Sequence, residues 1–434
     1  MHSLIISFKE FHMKLPRGLS RGFEAISYQG SSLLFKELTM AFTELTSDLP
    51  VTADKIKKSP LEKVVKNRTG LNVRVKMDKS PHPNAYVYPP DIDKNNPIIN
   101  DYWVKWGVVN SKDALKRLKK GQKVLEGTLD LKASTVSGVY SDVVVTVCLT
   151  KGLLESPIFE PSEIAAIMLH ELGHLFSYFE YLEFSLTTNV TLQAATQAYF
   201  DAEGTVRKHE IVSETQKALD IDLEDPDALI RVNNREVFQT ILLREAIRQN
   251  KSTLGSGIYD YTAWEAASDQ FATRHGAGRD LVTGLDKLNK MYGSPAHRST
   301  VKHVIFNGLT LLLFLTALGV GFIPVLLILF INPAVKDYDP DRARLKRIRQ
   351  EMVAGIKDPN IDSETKKQIL VDVQAIDKVI ELMKDRRSWL EFFHTSIRPK
   401  GRKQYKQLEF QKDLEELVNN DLFLAAAKFE TLKI

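Results

Sequence analysis

The tightest limit on how this chain folds is set by His170-Glu171-Leu172-Gly173-His174, entered through the apolar run Ile164-Ala165-Ala166-Ile167-Met168-Leu169. Residues four apart share one face of a helix, so a helical reading brings both imidazoles to one ion with Glu171 beside them. The apolar approach requires that helix to be buried, and Pro161-Ser162-Glu163 supplies a start with Ser162 as its cap. Any fold must therefore bury a helix that still turns two histidines and a carboxylate towards an open space. With 10 histidines in 434 residues, the spacing arises from composition alone in roughly one such sequence in a hundred. Two core histidines flanking an unrelated glutamate is the plain alternative.

A metal held for catalysis needs three protein ligands and one open position. Cys148 is the single cysteine, which excludes an internal disulfide and a cysteine cage, so the third ligand must be a histidine or a carboxylate. Glu180 stands at a short spacing used by one class of zinc peptidases, but Ser177 occupies the place of the glycine that class needs, and Glu180 itself the place of a histidine. Glu236 has suitable chemistry and no companion. Glu265 is followed one helical turn later by Asp269, which gives a pair with divided labour. Glu265 binds the metal, and Asp269 fixes the tautomer and orientation of a ligand histidine. The residues thus point to one Zn2+ per chain on His170, His174 and Glu265, with Glu171 as the base that takes a proton from water. A histidine, tyrosine or arginine from the later helices is expected to stabilise the oxyanion, and the sequence does not single one out.

Length and composition set the frame for that site. A chain of 434 residues exceeds what one hydrophobic core usually supports. The 43% hydrophobic and 26% charged residues fit a folded protein. Lys and Arg number 59 against 55 Asp and Glu, a net charge of +4 that gives no reason to expect a nucleic-acid partner. Residues 1–60 read as an N-terminal helical region: basic at Lys14, Arg17 and Arg21, then amphipathic through Leu34, Leu38, Ala41 and Leu45. Leu4–Phe8 is too short for a signal-peptide core, so no cleavable export signal is expected. Strands are predicted at Val73–Val75, Ala85–Tyr88 and Val143–Val147, and helices over about 190–250 and 262–292.

In its motifs the chain resembles the zinc peptidases of the HtpX, CAAX-prenyl-protease and Oma type, metallopeptidase family forty-eight. Beside the His-Glu-Leu-Gly-His block, Asn84-Ala85-Tyr86-Val87 is similar to that family's Asn-Ala-Phe-Ala strand. Leu149–Glu155 and Glu163–Ala166 resemble its lead-in to the zinc helix, and Glu265 with Asp269 matches its Glu-x-x-x-Asp motif. The order agrees over about residues 70–290. The resemblance implies a gluzincin, an α+β zincin-like domain over 61–300 with a small twisted sheet packed on the zinc helix, and Asn84, Ala85 and Tyr86 as the strand that receives substrate. The activity implied is endoproteolysis of polypeptides, often at membranes. Where the family has His-Pro before an Arg-rich helix, this chain has Asp339-Pro340-Asp341-Arg342-Ala343-Arg344.

One hydrophobic segment, Val304–Ile331 within 301–333, carries no charge and is long enough for membrane contact. It is broken at Gly319–Pro324 and flanked on both sides by basic residues, Lys287, Lys290, Arg298 and Lys302 before and Lys336 and Arg342–Arg349 after. Two basic flanks favour a hairpin or re-entrant loop with both ends cytoplasmic. The region 334–434 reads as helical, with one amphipathic helix through Ile369, Val373, Ile376, Ile380 and Met383 and another over about 404–428, suited to docking or homo-oligomer formation. A membrane-associated peptidase with its catalytic domain in the cytoplasm is the leading expectation. A virion-associated or membrane scaffold that keeps a zinc domain is the alternative.

Overall fold

A computed structural model of the chain describes residues 26–88, 90, 95–106, 113–114, 117–118, 122–219, 221–250, 261–292 and 341–383, without the side chains of 247–250 and 261–264. The basic N-terminal stretch, Val304–Ile331, Asp339-Pro340 and the 404–428 pattern lie outside the described residues. The fold is α+β, mainly helical with a small sheet. In chain order come α1 (Leu33–Thr46), α2 (Ala53–Lys58), α3 (Leu61–Thr69), β1 (Asn72–Asp78), β2 (Ala85–Tyr88), α4 (Pro97–Trp106), β3 (Gly127–Asp130), β4 (Thr135–Gly138), α5 (Val139–Asp142), β5 (Val144–Thr150) and α6 (Lys151–Leu154). They are followed by α7 (Pro161–Phe200), α8 (Thr205–Leu219), α9 (Pro226–Ile230), α10 (Arg235–Asn250), α11 (Tyr261–Ala272), a π-helical turn Thr273–Ala277, α12 (Gly278–Met291), α13 (Asp341–Ile356) and α14 (Ser363–Leu382). Packing divides these into two compact units, each assembled from separated stretches.

The first unit takes in Glu44–Leu154 and Glu171–Ser268. Its sheet has the order β1-β5-β2, with β5 parallel to β1 and antiparallel to β2. The central place of β5 follows from its sequence: Val145, Val147, Cys148 and Leu149 are all buried, an apolar run that suits a strand covered on both faces. Helices α2 and α3 pack on β1, and the Glu62 carboxylate accepts from the Val75 N–H at 2.8 Å. Gly70 ends α3 with φ of 75°, and a Cβ there would stand 2.1 Å from the Val136 carbonyl oxygen, so this turn requires glycine. The β3–β4 hairpin was not expected from sequence, because two residues per strand, Thr128-Leu129 and Thr135-Val136, carry its β preference between glycines. Further along, Tyr199 stacks on Phe238 at 4.3 Å between ring centres and donates its hydroxyl to the Ile230 carbonyl at 2.5 Å, tying α7 to α9 and α10.

The second unit contains Ser27–Thr43, Glu155–His170 and the described residues from Asp269 onward. Leu34, Leu38, Ala41 and Leu45 of α1 are buried, as their spacing predicts. The start of α7 differs from expectation. Pro161 is its first residue, the Glu163 side chain reaches back to the Glu160 N–H at 2.8 Å, and Ser162 instead donates its hydroxyl to Asp280 at 2.7 Å. A proline at the first helical position places the cap at Glu160, two residues earlier than Ser162. Lys287 of α12 closes on Glu163 at 2.7 Å. In the π-helical turn Gly276 has φ of 83°, and the carbonyls of Arg274 and His275 accept from the N–H groups of Gln29 and Ser32 at 2.9 and 3.0 Å. Helices α12, α13 and α14 pack on one another. The apolar face of α14, Ile369, Val373, Ile376 and Ile380, is buried within the chain. Among the described residues no helix is long and apolar enough to cross a membrane.

Candidate metal centre

Helix α7 runs unbroken from Pro161 to Phe200, so His170 and His174 stand one turn apart on a single rod. Ile164–Leu169 ahead of them is buried throughout, which holds that stretch of the helix inside the fold. On α11, Glu265 and Asp269 are likewise one turn apart. One ring nitrogen from each of His170 and His174 and one Glu265 carboxylate oxygen all lie within 4.8 Å of one another, a group that could hold a metal ion. His174 Nε2 stands 3.5 Å from Glu265 Oε1. Ligands at about 2.0–2.2 Å from a tetrahedral ion are separated by about 3.4 Å, so this pair is already at the required spacing. The donor chemistry fits a metal.

Asp269 completes the arrangement from behind. Its Oδ1 lies 2.9 Å from His170 Nδ1, a bond that places the ring proton on Nδ1 and leaves Nε2 as the lone-pair nitrogen. Asp269 is 1% exposed. Burial alone would raise its carboxyl, but the guanidinium of Arg344 and the bond and charge of His170 outweigh burial and bring it down to about 2. Arg344 grips it with both prongs, Nε donating to Oδ2 at 2.8 Å and Nη2 to Oδ1 at 2.7 Å. The same Nη2 lies 3.5 and 3.4 Å from the two ring nitrogens of His170, at the long limit of a hydrogen bond.

Glu171, between the two histidines on α7, is buried at 8% exposure. The other two carboxylates weighed as ligands are not in the metal group: Glu180 lies further along α7, and Glu236 is exposed in the first turn of α10. Asn84, Ala85 and Tyr86 lie at the entry of β2. The Asn84 N–H donates to Thr150 Oγ1 at 2.8 Å, that hydroxyl donates to the Asn84 carbonyl at 2.9 Å, and the Tyr86 hydroxyl donates to Asp78 at 2.5 Å. Arg344 is the residue that sequence reasoning left without a role. The basic run Arg342–Arg349 was legible as a membrane flank and as the counterpart of the family's Arg-rich helix, but neither reading paired Arg344 with Asp269. No family model, curated protein or solved structure matches the chain.

Proposed function

We propose that the protein is a zinc-dependent endopeptidase of the gluzincin type that works at a membrane. The observation that carries this reading is the convergence of His170, His174 and Glu265 on one point, with Asp269 bonded to the first of them. Two imidazoles and a glutamate form a donor set of catalytic zinc sites, which leave one position open. When bound there, zinc would polarise the scissile carbonyl and lower the pKa of a water towards about 7. Glu171, adjacent to both histidines, would take the proton from the attacking water and return it to the departing amine. Asp269 and Arg344 keep the His170 ring in the tautomer and orientation that binding needs.

The polypeptide substrate would lie along β2. Within the described sheet this strand is hydrogen-bonded only to β5, so its other edge can receive an extended peptide by strand addition. The Asn84–Thr150 bonds hold the entry of that edge rigid. Membrane contact is assigned to Val304–Ile331, with the peptidase domain facing the cytoplasm.

The test is a proteomic comparison of products made by the wild-type protein and by Glu171→Gln, with metal content measured in both. Zinc in both and cleavage by the wild type alone supports the reading. Zinc in both and cleavage by neither favours a scaffold that keeps a zinc domain.

A further inference from the structure

We propose that α2, α3 and the outer face of the β1-β5-β2 sheet form a basic surface that docks the first unit on anionic phospholipid headgroups. This rests on the membrane part of the reading above and stands apart from the peptidase chemistry.

The starting point is where the charge sits. Residues 51–79 hold nine Lys and Arg against three Asp and Glu, a net charge of +6. The whole chain carries +4, so everything outside this stretch comes to −2. Lys55 is taken by Asp48 at 2.6 Å, and Lys66 by the carbonyls of Gly70 and Ser141 at 3.1 and 3.0 Å. Lys57, Lys58, Lys63, Arg74, Lys76 and Lys79 are exposed and form no ion pair with a described residue. Like charges gathered without partners repel one another, and an external layer of anions relieves that repulsion.

The fold gathers these cations beside one strand. Helices α2 and α3 both pack on β1, and the acidic Glu62 of α3 is spent on the Val75 N–H. Within the sheet, directly paired residues point to the same face. One face is core, with Val73 and Val75 of β1 and Val145, Val147 and Leu149 of β5 buried. The opposite face carries the row Arg74, Thr146 and Tyr88 and the row Lys76, Cys148 and Tyr86. Asp78 is the single acidic residue of the three strands, and the Tyr86 hydroxyl reaches over β5 to it at 2.5 Å, above buried Cys148. The part of the face around Arg74 stays open, with Tyr88 56% and Val144 47% exposed.

These groups favour a lipid surface over a nucleic acid. Five of the six open cations are lysines, point charges suited to a diffuse headgroup layer, whereas nucleic-acid recognition draws on the planar fork of arginine. Tyr88 offers an apolar body with a polar tip, the side-chain type that settles at a membrane interface. Its ring meets Tyr86 edge to face at 5.3 Å between centres, so the pair does not present two open ring faces for stacked bases.

The test uses the full chain and phosphatidylcholine vesicles with and without phosphatidylglycerol. The wild type should partition more strongly onto the anionic vesicles, and the preference should vanish at about 1 M salt, where the Debye length is about 3 Å. Each cation near such a surface contributes about fivefold to partitioning. Lys57→Gln, Lys63→Gln, Arg74→Gln and Lys76→Gln together should therefore reduce the preference at least about 100-fold. Neutralising four exposed cations elsewhere, by Lys132→Gln, Lys217→Gln, Arg231→Gln and Lys378→Gln, should reduce it less than about fivefold. Equal losses in the two sets would make net charge the cause and overturn the proposal. A fluorophore on Val144→Cys in a Cys148→Ser background should be quenched by nitroxide on the headgroups of the anionic vesicles. Bound protein without quenching would put another surface on the lipid and overturn it too. Should the fourfold variant fail to fold by circular dichroism, the pairs Lys57→Gln with Lys63→Gln and Arg74→Gln with Lys76→Gln are measured separately, each with an expected loss of about 25-fold. Equal partitioning onto both vesicle types, unchanged by salt, would sink the proposal and leave the membrane reading standing; no partitioning onto either would sink both. Binding of a labelled oligouridylate that the fourfold variant loses, without preference for anionic vesicles, would make the surface a nucleic-acid site and overturn the proposal. Peptidase activity enters none of these readouts.

Discussion

Replacing Arg344 by alanine tests how the metal centre is held. The wild-type pair is bidentate, at 2.7 and 2.8 Å, on a carboxylate that is 1% exposed. Removing one member of a buried ion pair costs about 3–5 kcal/mol, because the remaining charge keeps its desolvation cost without its partner. The Arg344 side chain is 17% exposed, so water can partly replace it, and the lower end, about 3 kcal/mol, is the expected loss of unfolding free energy. Asp269 would also lose the anchor that aims it at His170, and metal affinity should fall about 10–100-fold, as when the partner behind a ligand histidine is removed. Arg344→Lys restores a charge without the planar fork, and should recover part of the stability and little of the affinity. Urea unfolding and chelator competition measure the two effects, and a cycle with Asp269→Asn isolates the pair. The double variant should be no less stable than Arg344→Ala alone, a coupling of about 3 kcal/mol. If Arg344→Ala matches the wild type within about 0.5 kcal/mol and in affinity, or the two effects simply add, the pair does not support the site.

Glu265→Ala should lose the metal on elemental analysis while Glu180→Ala and Glu236→Ala keep it, and full occupancy in Glu265→Ala would remove it as a ligand. Glu171→Gln should keep fold and metal and lose peptide hydrolysis, since the amide has a similar shape and accepts no proton; near-normal turnover would exclude Glu171 as the base. His275, buried against Phe271, has its pKa lowered by burial from 6.5 to about 4. It is neutral in the fold while the unfolded chain takes up a proton first, so its contribution is full above about pH 6.5 and is lost towards about pH 4, roughly 3 kcal/mol in all. Urea midpoints should therefore fall more steeply over that window in the wild type than in His275→Leu, and parallel profiles would refute the assignment.

What was legible in the sequence was local. The helix carrying His170 and His174 follows from an apolar run and a four-residue spacing, and Glu265 with Asp269 repeats that geometry near the start of a second helical pattern. The strands at β1, β2 and β5 follow from β-branched runs, and β5 takes the centre because its residues are apolar without alternation. The β3–β4 hairpin was not legible, since its short strands offer few β-preferring residues. The cap of α7 lies two residues before the expected Ser162, whose hydroxyl is engaged instead by Asp280, a residue 118 positions away.

That last case shows why the remainder was hidden. A polar residue is read from sequence by its neighbours, yet in a buried site its partner is whichever group the fold delivers. Arg344 follows Asp269 by 75 positions and His170 by 174, and between them lies the longest uncharged stretch of the chain. The basic run around Arg344 looks uniform, but its members are spent differently, Arg344 on Asp269 and Arg349 on Asp377, while Glu351 of the same helix takes Arg274 of the π-helical turn. These pairs tie α13 to α11, to α14 and to the π-helical turn. The orientation of His170 is therefore set through Asp269 by a helix far along the chain. A candidate metal site whose first two ligands are four residues apart thus depends on a contact between residues 75 positions apart.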